Sequence, residues 1–187
     1  MDNHSRRSPP ALSINSLTLG IVAIGVEGLV IAPVLPDIAT TFAVSPARAA
    51  WAVSVYGLTV AIVAPLAASA GNRLGRKASM VGGLSLFAVT SMACAMASSF
   101  PLFLGGRALC GAAAGFFLPA CYAYVGDAVA YAERGRAMGR VMAGWSLAMI
   151  AGVPAGGWMA QCWGWRAPFV AVSVLACACL YRMGGLP

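Results

Sequence analysis

The sequence predicts an all-α membrane protein, a bundle of six transmembrane helices behind a short polar tail. Three observations predict it. Of 187 residues, 60% are hydrophobic and 9% are charged, against about 25% charged in a soluble domain. So few charges cannot clothe a water-facing surface, so the medium around most of the chain is lipid. The apolar residues fall into six long runs, and the cations gather in alternate connections between them. Lipid leaves only helices or closed barrels as spanning structures. These runs are too long and too evenly apolar for the alternation of a barrel strand.

The elements follow in order. Residues 1–10 read as a polar, cytoplasmic tail and 11–187 as the six-helix unit. The first span is expected over 11–35. It is too long for a secretory leader, and no small-residue cleavage site closes it before Pro33, so it is retained. The second is expected over 49–70 and the third over 78–98. Ser98-Ser99-Phe100-Pro101 then breaks the chain. The fourth is expected over 100–125, the fifth over 137–160 and the sixth over 166–181. Each approximates the roughly 20 residues that cross a bilayer.

Lysine and arginine orient the bundle. With the first residue inside, the inner segments hold Arg6, Arg7, Arg73, Arg76, Lys77, Arg134, Arg136, Arg140 and Arg182. The outer segments hold only Arg48 and Arg166. This bias places both termini in the cytoplasm of a multi-pass inner-membrane protein. The net charge of +7 is dispersed among these clusters, so it does not mark a nucleic-acid partner. The six cysteines, Cys94, Cys110, Cys121, Cys162, Cys177 and Cys179, form no CxxC pair and have no neighbouring histidine. They read as small packing residues, without metal or disulfide. The single histidine, His4, lies in the tail. Nothing resembles a catalytic constellation, so neither enzyme activity nor a cofactor is expected. Asp37, Glu133, Arg134 and Arg136 read as loop residues at the membrane surface. Trp51, Trp158, Trp163 and Trp165 read as interfacial anchors.

Two ionisable residues lie within spans, Glu27 in the first and Arg107 in the fourth. Each costs about 2.5–3.5 kcal/mol at mid-helix on insertion scales, which marks them as functional candidates with partners. Counted from the outer ends of their spans, both sit roughly 9–12 Å deep at 1.5 Å per residue. They can meet if the two helices are neighbours. Burial favours a neutral acid and a nearby cation favours the carboxylate. A site held between these effects can load and release protons; a fixed ion pair locking two helices is the alternative. On the inner side, Asn72-Arg73-Leu74-Gly75-Arg76-Lys77 forms a cationic turn, and Arg76 can reach Asp127 at the end of the fourth span. The fifth span carries Gly144, Ala148, Gly152 and Ala155 on one stripe, with Pro154 and Gly156-Gly157 following. Small residues let helices approach, and Pro154 can kink the helix. Tyr122 falls near the face of Arg107 and is a candidate substrate contact.

Together these stretches resemble the major facilitator superfamily, and more closely its drug:proton antiporter branch, which includes arabinose-type efflux permeases. The resemblance rests on Asn72-Arg73-Leu74-Gly75-Arg76-Lys77 between the second and third spans and on Arg107-Ala-Leu-Cys110-Gly111-Ala-Ala-Ala114. It also rests on Gly152-Val-Pro154-Ala-Gly156-Gly157, and on the flanking Glu27, Ala32-Pro33-Val-Leu-Pro36 and Gly164-Trp165-Arg166-Ala-Pro-Phe169. Ala68 stands where that loop usually has its first glycine, and Asn72 where it usually has an acid. The resemblance implies half of the superfamily's fold, two inverted three-helix repeats, echoed by Gly75-Arg-Lys-Ala78 and Gly164-Trp-Arg-Ala167. It implies proton-coupled efflux of a small organic molecule such as a drug or sugar. Glu27 and Arg107 would couple protons. Asn72, Arg73, Gly75, Arg76, Lys77 and Asp127 would form a conformational latch. Gly152, Pro154, Gly156 and Gly157 would form the antiporter motif. Transport is expected to need a second six-helix half or a second copy. An uptake carrier of the same fold, and a non-transporting fragment or interaction partner, remain open alternatives.

Overall fold

A computed structural model describes residues 11–184, apart from the side chains of 11–13 and 70–74. The polar tail expected at 1–10 lies outside the described residues. Helix α1 is Ala11–Thr41, α2 is Pro46–Leu74, α3 is Arg76–Ala95 and α4 is Phe100–Ala128. A 3-10 turn at Tyr131–Glu133 leads into α5, Arg134–Leu147. A π-helical turn, Ala148–Gly152, joins α5 to α6, Val153–Trp163. These pieces form one rod, the fifth span. Helix α7 is Ala167–Gly184. Among the described residues, five rods are long and apolar enough to cross a membrane, and α7 is apolar but shorter.

Every expected span is present, with shifted ends. From sequence the first stops at residue 35; the helix continues to Thr41, through Pro33 and Pro36. Proline removes a backbone donor and crowds the preceding turn. Membrane helices tolerate it because neighbouring groups and local adjustments re-satisfy the backbone. Both prolines are exposed, so their rings disturb no packing. Asp37 therefore sits on a helix and not in a loop. Arg134 likewise opens α5, and Glu133 closes the turn before it.

Two glycines fix the turns that matter. Gly75, between α2 and α3, has φ 84° and ψ 143°, and Gly164, between α6 and α7, has φ 85° and ψ 162°. This conformation is essentially reserved for glycine. The two occupy matching places in the triplets α1–α2–α3 and α4–fifth span–α7. Packing follows the same symmetry: α4 lies against α2 and α3, α1 against the fifth span and α7, and α3 meets α7. Each triplet's first helix thus packs into the other triplet, as two inverted repeats require.

Helices α1, α3 and α4 form the centre. The most apolar stretch of α2 is only 11% buried, against 61% in α1. Missing side chains set the spacing. At Gly111 on α4, a Cβ would stand 2.4 Å from the Tyr56 carbonyl oxygen of α2. On the fifth span, a Cβ at Gly144 would meet the Thr18 carbonyl oxygen at 2.8 Å, and at Gly152 the Val26 Cγ2 at 2.1 Å. The stripe then runs to buried Gly156, while Ala155, expected on it, is exposed. Four-residue steps drift by about 40° each on a 3.6-residue helix. The π turn takes up an extra residue, so four-residue spacing stays aligned and Gly156 replaces Ala155.

Filling these contacts should separate the helices. Gly111→Leu is expected to lower stability by about 1–3 kcal/mol through overpacking, read by denaturant unfolding in detergent. Gly57→Ala on α2, where an added Cβ meets nothing within 4 Å, is the matched control. It is expected to change stability by less than about 0.5 kcal/mol or raise it slightly.

Candidate functional site

Three helices converge on one buried pair. Helix α1 supplies Glu27, α4 supplies Arg107, and α2 supplies Ala52 and Tyr56 one turn apart. Arg107 Nη1 donates to Glu27 Oε1. Arg107 Nε donates to the Ala52 carbonyl oxygen at 3.2 Å. The guanidinium carbon lies 4.5 Å from the centroid of the Tyr56 ring, within cation–π range. Both charged side chains are 0% exposed. Among the described residues, Glu27 Oε2 and Arg107 Nη2 have no hydrogen-bond partner.

That arrangement is energetically specific. A buried ion pair seldom stabilises more than apolar residues of equal volume, but removing one partner strands a charge. The guanidinium is tied by a carboxylate, a carbonyl and a π face. Among the described residues the carboxylate is tied only by the guanidinium. An ionised carboxylate accepts on both oxygens, and a protonated one donates through one of them. Oε2 therefore keeps an open hydrogen-bonding position beside the Arg107–Glu27 bond.

A polar seam continues between α3 and α4. Cys110, one turn from Arg107, donates from Sγ to Thr90 Oγ1 at 3.2 Å, and its Sγ lies 4.0 Å from that of Cys94. Cys94, Cys110, Cys121 and Cys179 are buried, whereas Cys162 and Cys177 are exposed.

The fifth-span motif backs onto the stretch of α1 that carries Glu27. Gly152 faces Val26, and a Cβ at Gly156 would stand 2.5 Å from Val30 Cγ2. Gly157 has open space beside it. Pro154 is the second residue of α6, directly after the π turn. Tyr122 is remote from Arg107, about 15 residues along α4, or roughly 22 Å at 1.5 Å per residue. Its hydroxyl accepts a hydrogen bond from Trp145 Nε1 at 3.1 Å.

At one end of the bundle, Arg76 Nε stands 3.2 Å from Asp127 Oδ2. The two side chains are 30% and 66% exposed, so the pair contributes at most about 1 kcal/mol. Gly75 and Lys77 flank Arg76 at the turn. The side chains of Asn72 and Arg73 lie outside the described residues. At the opposite end, Trp165 is 4% exposed, contrary to its expected place at the interface. Its ring packs against Phe42, Phe103 and Phe169 at centroid distances of 5.6, 5.3 and 6.0 Å. Its indole N–H is satisfied by Thr41 Oγ1 at 2.9 Å, so nothing polar draws it outward. Trp51, Trp158 and Trp163 are exposed, as anchoring requires.

Comparison with known proteins decides the family. The model of the Major Facilitator Superfamily matches residues 17–184. This chain belongs to the major facilitator superfamily. It is 42% identical over 160 residues to YwfA of Bacillus subtilis, an uncharacterized MFS-type transporter, covering 86% of this chain and 39% of that protein. It is 34% identical over 149 residues to Multidrug resistance protein 2 of B. subtilis, covering 80% and 37%. It is 29% identical over 163 residues to a chloramphenicol resistance protein of Streptomyces lividans, covering 87% and 42%. The chain thus spans about two fifths of the length of these relatives. Membership makes this major facilitator chain a multi-pass membrane protein of a transporter family, with the helical fold that family uses.

Sequence reasoning did not single out Tyr56 or the Ala52 carbonyl. A phenol in the middle of an apolar run was the available signal for the first. No side-chain pattern marks a backbone carbonyl.

Removing the cation alone should cost more than removing both charges. Arg107→Ala is expected to lower stability by about 3–5 kcal/mol, because Glu27 is left charged and unpaired. The double variant Glu27→Gln/Arg107→Ala removes that charge and is expected to recover at least half of the loss. Thermal unfolding in lipid nanodiscs checks this, and equal loss in both variants would show that the charge is not what costs.

Proposed function

We propose that this chain forms one half of a proton-coupled exporter of small organic molecules, with Glu27 as the proton-carrying group and Arg107 as its partner. The observation that carries the proposal is the fully buried pair with one oxygen and one nitrogen unpartnered. A purely structural ion pair gains from satisfying every atom, whereas a carrier needs a free proton position. Two relatives named for multidrug and chloramphenicol resistance support export of a small organic molecule over uptake.

In this reading both termini face the cytoplasm of the inner membrane, since the cations favour that side. Arg76 and Asp127 then close the cytoplasmic end as a weak, reversible latch, with Asn72, Arg73, Gly75 and Lys77 shaping its turn. A pair of such small net value suits a contact that must break in each cycle. The motif Gly152, Pro154, Gly156 and Gly157 transmits movement of the fifth span to α1, because Gly152 and Gly156 touch the residues flanking Glu27. Tyr122, held by Trp145, serves as a substrate contact. A substrate cavity forms between this unit and a second six-helix half, supplied by further sequence, another chain or a second copy, because such sites lie between repeats at the midplane.

The test uses the chain co-expressed with a matching second half and reconstituted in vesicles. Chloramphenicol and ethidium are added, and proton release is followed with a pH dye. Release is expected from the parent protein and is expected to fall at least about tenfold in Glu27→Gln, the scale of losing a positioned proton-transfer group. Undiminished release from Glu27→Gln would remove Glu27 from the carrier role. Arg76→Ala is expected to leave thermal stability within about 1 kcal/mol while altering the export rate severalfold. An unchanged rate at matched expression would deny the latch.

A further inference from the structure

We propose that Tyr56 is the lid over the buried pair, a positioning residue whose aromatic ring controls when solvent reaches Glu27 and Arg107. It deepens the function proposed above and takes from it that Glu27 exchanges protons. Its geometry stands independently of that reading.

Four observations carry it. Glu27 and Arg107 are 0% exposed, while Tyr56 and Gly28 are each partly exposed. The Tyr56 ring lies against the guanidinium, 4.5 Å from its carbon. On the other side the ring faces α1 at Gly28, where an added Cβ would stand 3.4 Å from Tyr56 Cε1 and 3.5 Å from its hydroxyl oxygen. The ring is thus wedged between α1 and α4, with the guanidinium on one side and a partly exposed surface on the other. Finally, the pair has an unpartnered acceptor and an unpartnered donor, each able to hydrogen-bond water.

The mount of this lid is also defined. Ala52 and Tyr56 are one turn apart on α2, so the carbonyl that holds Arg107 and the ring that covers it move together. Gly111 lets the Tyr56 backbone sit against α4. Displacement of α2 from α4 therefore withdraws the hydrogen bond from Ala52 and the ring in one motion. The two unpartnered atoms become wet while the Arg107–Glu27 bond still holds. Proton entry then needs no separation of the charges.

The test measures solvent exchange of the Arg107 guanidinium N–H groups by nitrogen-15 NMR in nanodiscs, assigned by their loss in Arg107→Lys. Tyr56→Leu removes the π face and is expected to speed exchange about ten- to thirtyfold, the equivalent of one desolvated cation–π contact. Tyr56→Phe keeps the ring and is expected to stay within about twofold of the parent. If Tyr56→Leu proves unstable, Tyr56→Trp gives the opposite sign: a larger, stronger π face is expected to slow exchange. Exchange unmoved by both Tyr56→Leu and Tyr56→Trp, or accelerated equally by Tyr56→Phe, overturns the lid. Failure of the proton-carrier reading would appear elsewhere, as undiminished proton release in Glu27→Gln with the Tyr56 exchange series intact.

Discussion

One guanidinium organises this bundle. Among the described residues Arg107 is the largest fully buried side chain, and it is bound by groups from α1 and α2. A charge in a low-dielectric interior must find partners, since desolvation costs several kcal/mol. Here the partners are one carboxylate from α1, one backbone carbonyl from α2 and one aromatic face from α2. Moving any of the three helices alone therefore breaks a contact to the same cation. Hydrophobic association cannot supply that specificity in lipid, where helix surfaces and acyl chains are equally apolar.

The small residues act with the charge. Helices α2 and α4 reach contact because Gly111 has no side chain to hold them apart, and the fifth span reaches α1 through Gly144, Gly152 and Gly156. Both seams run beside the pair, one through the residue next to the Tyr56 lid and one through the residues flanking Glu27. The π turn belongs to the same design. It corrects the helical drift that would otherwise rotate Gly156 off the seam, and it stands where Pro154 would disturb an ordinary helix.

The architecture was legible from sequence because its causes are local. Six apolar runs, alternate cationic connections and two glycine-led turns are all written in short stretches. The meeting of Glu27 with Arg107 was legible because charge in lipid is expensive and only these two residues bear that expense together. What stayed hidden depends on tertiary context. The first span is expected to end at residue 35, yet the surroundings carry α1 through Pro36 to Thr41. Trp165 reads as an interfacial anchor from its type, but three aromatic rings and Thr41 enclose it. Ala155 and Gly156 are indistinguishable as small residues until the π turn sets the phase. Tyr56 is one apolar-run aromatic among several until the fold places its ring on Arg107.

The uneven burial of the rods completes the physical picture. Helix α2 supplies two of the three groups that hold Arg107, yet its apolar stretch is the least covered in the bundle. Its inner face, around Ala52, Tyr56 and Thr59, lies against α4 and α1. Its outer face presents Trp51, Leu58, Ile62 and Leu66. A helix gripped on one side only is positioned by whatever meets its other side. In this fold the helix that holds the buried cation with two groups is thus also the one whose apolar stretch is least enclosed by its neighbours.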